Sequence, residues 1–223
     1  MKLEVINLEK KFKDFTAVNN VNFSIDEGQT LGVLGPNGCG KTTTIGMLLG
    51  LIKPSSGRIL INGKNFEDLN REKILSEFNF ASPYVELPKK LTVKENLEIY
   101  GRLYSVKDLT KRIQQISNDL NLGLFLDKKT GELSSGQKNR VSLAKSLINN
   151  PKVLFLDEPT ASLDPDIGDF VRKYIEEYKS KNRISILLAS HNMKEVERLC
   201  DYVIMMKEGK IVDRGTCQSL IEK

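Results

Sequence analysis

The run Gly35-Pro36-Asn37-Gly38-Cys39-Gly40-Lys41-Thr42 is where the residue types of this chain most clearly permit chemistry. It fits G-x4-G-K-[ST], a pattern met once in the sequence. Glycines reach backbone angles closed to other residues, so consecutive N–H groups can converge on one cavity. A helix N-terminus at the end of such a loop adds positive potential for phosphates. Lys41 would then reach the β- and γ-phosphates of a bound nucleotide, and Thr42 would offer its hydroxyl to Mg2+. By itself the loop says only "nucleoside triphosphate" and leaves kinases, GTPases and ATPases open.

A second set of residues lies far along the chain. Val153-Leu154-Phe155-Leu156-Asp157-Glu158 is an apolar run ending in two carboxylates. At a strand end near a phosphate loop, Asp157 fits the acid that orders Mg2+. Glu158 fits the general base that takes a proton from water attacking the γ-phosphate. A capping or surface acid pair is the plainer reading of the two residues taken alone. Leu133-Ser134-Ser135-Gly136-Gln137 precedes an amphipathic pattern with Val141, Ala144, Leu147 and Ile148 on one side. Ser134 can cap that helix, with Gly136 and Gln137 in its first turn. This is an ordinary cap in isolation, and a second place able to hold a phosphate in company.

The elements that must position these groups are legible in outline. Thr30-Leu31-Gly32-Val33-Leu34 reads as a buried strand running into the phosphate loop, and Lys41 to Leu51 as the helix that follows. Leu154–Leu156 and Ile186–Leu188 are continuous apolar runs, as in parallel strands covered on both faces. Leu3 to Leu8, Val21 to Ile25 and Arg58 to Asn62 read as an antiparallel layer beside them. Leu91 to Leu126 carries helical patterns, and Lys207-Glu208-Gly209-Lys210 reads as a hairpin turn. The expected fold is α/β, a P-loop core with an antiparallel β subdomain and an inserted helical subdomain. The expected division is one domain over 1–223, with the core at 1–82 and 150–223 and the helical subdomain at about 83–149.

Composition is that of an ordinary soluble domain: 223 residues, 39% hydrophobic and 28% charged. Three scattered cysteines make a poor disulfide framework and read as reduced thiols. No apolar run is long enough to cross a bilayer, and the N-terminal residues do not form a signal peptide. A net charge of +5 is spread over many sites. That reads as a solvated basic surface, or as a face toward anionic lipid. It lacks the clustering and interleaved aromatics that nucleic-acid binding needs, so no nucleic acid is expected.

Together these motifs resemble the nucleotide-binding subunit of ATP-binding cassette (ABC) transporters, in the family's order and over nearly the whole chain. Gly35 to Thr42, with Thr43, resembles the Walker A loop, and Leu154 to Glu158 the Walker B strand. Leu133 to Gln137 resembles the family signature, with Ser135 in place of its first glycine. Arg140 also matches. Ser162-Leu163-Asp164 resembles the D-loop, and Ser190-His191 the switch-histidine loop. The resemblance implies that Phe12 stacks on adenine and that His191, the single histidine, contacts the γ-phosphate. It implies an ATPase using ATP and Mg2+, working as a head-to-tail dimer with itself or a homologous cassette. In that dimer Ser134, Ser135, Gly136, Gln137 and Asp164 meet the partner's nucleotide. It implies a separate transmembrane permease subunit as partner, and a cytoplasmic location on the inner face of the cell membrane. Leu91 to Arg102 and Met193 to Asp201 resemble exporter-type cassettes, ABC-2-like systems among them.

The chain departs from the family in two places. No glutamine occurs between Gln29 and Gln114. Pro83 or, one residue earlier, Ser82 stands where the family's metal-binding and coupling glutamine is expected. The segment Phe80-Ala81-Ser82-Pro83-Tyr84-Val85-Glu86-Leu87-Pro88 occupies that place; proline there would offer a metal no side-chain ligand, whereas Ser82 would offer a hydroxyl. Cys39 replaces the usual small residue, and a thiol there predicts inhibition by alkylation, with protection by ATP. The competing functions are a soluble ABC ATPase acting on ribosomes or in DNA repair, and a non-enzymatic nucleotide sensor. The presence of Glu158 weighs against the sensor.

Overall fold

The computed structural model describes residues 1–83, 85–161 and 163–222, so Tyr84 and Ser162, named above, lie outside the described residues. The chain opens with the strands β1 (Leu3–Phe12) and β2 (Phe15–Ile25). They pair as an antiparallel hairpin. The expected buried strand is β3 (Thr30–Leu34), and the helix after the loop is α1 (Lys41–Leu48). Next come β4 (Ser56–Ile61), the short β5 (Lys64–Asn65), α2 (Arg71–Leu75) and β6 (Phe78–Ala81). Three helices follow, α3 (Val93–Leu103), α4 (Leu109–Asp119) and α5 (Ser135–Leu147). The chain then returns through β7 (Val153–Asp157), α6 (Pro165–Asn182), β8 (Ser185–Ser190) and α7 (Met193–Leu199). It closes with the hairpin β9 (Tyr202–Lys207) and β10 (Lys210–Gly215), then α8 (Cys217–Ile221).

Alternation decides the first sheet. Leu3, Val5 and Leu8 are buried, as are Val21 and Ile25 opposite them, and the order is β2-β1-β4-β5. Continuous apolarity decides the second. β3, β7 and β8 are buried at every residue. They lie inside a sheet of order β10-β9-β3-β8-β7-β6, parallel except for the β9–β10 hairpin. One hydrophobic core, with Ile45, Met47 and Leu48 of α1, fills the space between the sheets. A second core, with Val93, Leu97, Ile113, Ile116, Val141 and Leu147, packs α3, α4 and α5 against the other side of the parallel strands.

β6 is an edge strand, and its outer carbonyls need partners. The C-terminal part of α5 and the residues after it supply them. Lys145 Nζ donates to the Phe80 carbonyl at 2.7 Å. Asn149 Nδ2 donates to the carbonyls of Ser76 and Phe78 at 2.8 and 3.1 Å. The helix that begins at Ser134 is thereby tied to the strand that leads into Ser82 and Pro83.

Candidate functional site

The loop between β3 and α1 is held by close packing. Gly40 has φ 108°, and a Cβ there would sit 2.5 Å from the Ala17 carbonyl oxygen. A Cβ at Gly35 would meet the Met206 carbonyl oxygen at 2.3 Å. Only glycine fits either place, so β2 and β9 press the loop into shape from behind. In front is an open cleft of about 460 Å3 lined by Phe15, Ala17, Asn37, Gly38, Gly40, Lys41, Thr42, Thr43, Asp157 and Glu158. The two predicted sets of residues therefore meet in one place. Gly35 and Cys39 lie behind it; the Cys39 side chain is 3% exposed and belongs to the core. The expectation of a ready target for alkylation is corrected on that ground.

Lys41 is buried, with Nζ donating to the carbonyls of Gly35 at 2.7 Å and Pro36 at 3.2 Å. It stands 4.0 Å from Glu158 Oε1. Thr42 Oγ1 donates to Asp157 Oδ2 at 3.0 Å. Burial pushes the Asp157 carboxyl above the usual range; the Thr42 bond opposes this, the Glu158 charge adds to it, and Lys41 opposes it. A buried carboxylate raised in this way gains from a cation beside it. Two hard oxygen ligands side by side at the cleft are what Mg2+ takes when phosphates and water complete its shell. Thr42 and Asp157 fit that ion. Ser82 is buried one residue beyond Ala81, whose register partner on β7 is Leu156. It also borders a separate groove of about 280 Å3 with Pro83, Leu133, Ser135 and Leu163.

Glu158 follows β7 with φ 53°, in the left-handed region. Its own N–H is held by the Ala189 carbonyl at 2.8 Å. This turns the carboxylate toward the end of β8. His191 Nδ1 lies 2.7 Å from Glu158 Oε1, and the imidazole is more than half exposed. With Glu158 ionised, Nδ1 carries the hydrogen. Behind them Glu195 is 1% exposed, bonded to Thr160 and Ser190.

The predicted signature residues do not join this cleft within the chain. Ser134 caps α5 through a reciprocal pair of bonds: its Oγ accepts from Gln137 N at 3.3 Å, and Gln137 Oε1 accepts from Ser134 N at 3.0 Å. Ser134 and Ser135 are exposed, and Gly136 is buried against Ile167. Asn139 of the same helix donates to the Pro159 carbonyl at 2.6 Å, linking α5 to the turn after Glu158. Asp164 is exposed at the N-cap of α6. Phe12 is 45% exposed and pairs in register with Phe15. Of the two rings, Phe15 borders the cleft. The sequence reading missed Phe15 and Glu195. Register across the β1–β2 turn offered a signal for the first. Nothing distinguished Glu195 from a solvated helix acid.

The comparisons with known proteins agree with this geometry. A family model described as ABC transporter matches residues 18–161. Nod factor export ATP-binding protein I of Burkholderia lata is 37% identical over 97% of this chain and 71% of its own length. The ABC transporter ATP-binding protein NatA of Bacillus subtilis is 34% identical over 96% of this chain and 87% of its own. A solved dimeric ATP-binding cassette in a post-hydrolysis state, bound to ADP and Pi, superposes with a TM-score of 0.88 at 26% identity. The match covers 96% of this chain and 98% of that one.

Proposed function

Because this chain belongs to the ABC transporter family, as an ATP-hydrolysing subunit that energises transport through a separate permease, we propose that its cleft is one half of a shared ATP site and that Glu158 is the base. The observation that carries this is the Glu158 carboxylate, buried at the cleft between Lys41 Nζ at 4.0 Å and His191 Nδ1 at 2.7 Å. One oxygen is oriented by the imidazole, and the group borders the cleft where a nucleotide held by Lys41 would present its γ-phosphate to the attacking water. Proton acceptance by a positioned carboxylate contributes about 10²–10⁴-fold to a rate.

Each residue has its part in this reading. The loop amides from Asn37 to Thr43 bind the phosphates. Lys41 exchanges the Gly35 and Pro36 carbonyls for phosphate oxygens. Thr42 and Asp157 hold Mg2+, with Ser82 beside them; the ion supplies positive charge to the phosphate oxygens. His191 keeps Glu158 turned toward the attacking water. Phe12 and Phe15 offer rings to the adenine. Ser134, Ser135, Gly136, Gln137 and Asp164 serve the nucleotide of a second cassette in a head-to-tail dimer; the dimeric neighbour bound to ADP and Pi supports this. The division into core and helical subdomain, 1–82 with 150–223 against about 83–149, belongs to the same reading.

No helix among the described residues is long and apolar enough to cross a membrane. The proposal places the chain at the cytoplasmic face of the cell membrane, on its permease. The export named for the Burkholderia lata protein supports an exporter-type assignment. The relatives reported are transport subunits, which leaves the ribosome and DNA-repair alternative without support.

Glu158→Gln tests the base. Turnover is expected to fall about 10²–10³-fold, with ATP affinity kept and an ATP-dependent dimer accumulating in size-exclusion chromatography. Hydrolysis near the wild-type rate would remove Glu158 from that role.

A further inference from the structure

Glu195 stands behind the reacting groups, on α7 and four residues after His191. Its Oε1 accepts the Thr160 hydroxyl at 2.8 Å, and its Oε2 lies 2.6 Å from Ser190 Oγ. The same Ser190 Oγ accepts the Asn192 N–H at 3.0 Å and lies 3.4 Å from Glu158 Oε2. One serine hydroxyl thus sits between two carboxylates, both under 5% exposed.

Ser190 has one hydrogen to give and two lone pairs to fill. If Glu195 is ionised, that hydrogen goes to Glu195 across the shorter distance, and Glu158 Oε2 receives nothing from Ser190. If Glu195 bears a proton on Oε2, it donates to Ser190 Oγ. Both serine lone pairs are then filled, by Glu195 and the Asn192 N–H, and the serine hydrogen turns to Glu158 Oε2. With Glu158 ionised, as a base must be, only the second arrangement gives every one of these contacts a hydrogen. It also avoids two negative charges on either side of one hydroxyl in a dry interior.

We propose that Glu195 is a proton-bearing positioning residue, which through Ser190 fixes Glu158 Oε2 and leaves Oε1 to His191 and the attacking water. The proposal rests on Glu158 being the base. Other groups facing Glu195 bear on its proton. Burial raises its pKa first; the Ser190 and Thr160 bonds oppose this, the Glu158 charge adds to it, and Arg172 on α6 opposes it. The Cys200 thiol at the end of α7 feels the Glu195 charge in turn. Losing the proton at alkaline pH would return the serine hydrogen to Glu195 and release Glu158.

The test is steady-state ATP hydrolysis by the full chain between about pH 6 and pH 9, read as kcat and KM separately. Glu195→Ala is expected to lower kcat about 10- to 100-fold, the scale of a misplaced catalytic group, with KM within about two-fold. Glu195→Gln presents an N–H to Ser190 and an oxygen to Thr160. It is expected to restore kcat to within about three-fold of wild type at neutral pH and to lose the alkaline decline, since nothing is left there to titrate. The proposal is overturned if Glu195→Gln is as slow as Glu195→Ala, if it keeps the wild-type alkaline limb, or if Glu195→Ala turns over normally. Should Glu195→Ala fail to fold, the comparison of pH profiles between wild type and Glu195→Gln decides alone. An inactive Glu158→Gln with an unaltered Glu195→Gln profile removes only this role for Glu195. An active Glu158→Gln removes the base itself.

Discussion

Cys39 shows how a position in a motif and the fate of a side chain can part. The residue lies inside the phosphate loop, yet the loop uses its backbone there, and its thiol packs with the core beside Gly35. A Cβ on Gly35 would lie 2.7 Å from Cys39 Sγ, a measure of how little room remains. Thiolate chemistry needs access as well as charge. Cys200 and Cys217 are each partly buried, and desolvation raises both thiols, Cys200 strongly. Of the three, Cys217 has the widest access. Alkylation of the native chain should therefore mark Cys217 before Cys39, with Cys39 reacting at an ordinary thiol rate only after unfolding in urea. Peptide mass spectrometry over a labelling time course gives the order. Cys39 labelled first, and protected by ATP, would show that the loop opens to solvent far more often than its packing implies.

At the scale of elements, α5 has the most to explain. Its first turn is closed by the Ser134–Gln137 capping box, which uses the N–H groups of Ser134 and Gln137. The N–H groups of Ser135 and Gly136 are left as the donors of a helix N-terminus. This is how a helix cap and a phosphate site can be the same residues: the side chain closes the turn, and the backbone stays open. Replacing an N-cap serine by alanine costs about 1 kcal/mol. Ser134→Ala should lower stability by that amount in urea denaturation. It should also weaken the ATP-driven dimer formed in the Glu158→Gln background, because in the proposed head-to-tail dimer the donors it arranges face the second cassette's nucleotide. Loss of stability with dimerisation unchanged would make the cap purely structural. The sequence announced this helix start because capping is local, set by residues three apart. It announced β3, β7 and β8 because strands buried on both faces carry unbroken apolar runs. Glu195 was hidden for the opposite reason. Its partners stand at two neighbouring strand ends, Thr160 just after β7 and Ser190 closing β8, and an acid between Lys194 and Val196 on a short amphipathic helix reads as solvated. Phe15 was hidden because a turn decides which of two neighbouring aromatics borders the cleft.

Over the whole molecule, α5 is tied to the edge of the parallel sheet, and Lys145 is a joint between them. Its ammonium bonds the Phe80 carbonyl, lies 3.4 Å from Asn79 Oδ1, and rests 5.5 Å from the Tyr100 ring of α3. No carboxylate pairs with it among the described ion pairs. Burial alone pushes its pKa down to about 8 from 10.5. A base whose pKa is lower in the folded chain than in the unfolded one binds fewer protons when folded, over the interval between the two values. Stability from this group therefore rises with pH from about 8 to 10.5 and is absent below 8. At about 1.4 kcal/mol per tenfold change, the rise is at most about 3.5 kcal/mol. Other groups, the tyrosines of the unfolded chain among them, titrate toward the upper end of this range, so the informative quantity is a difference between variants. Lys145→Met removes the titrating group and keeps an unbranched apolar stem. The stability of wild type minus that of Lys145→Met, from urea denaturation at a series of pH values, should be flat below pH 8 and climb by a few kcal/mol toward pH 10.5. A flat difference throughout would mean that the amine titrates as if exposed. Asn149, two residues past the end of α5, would then be the main tie between that helix and the strand that leads to Ser82.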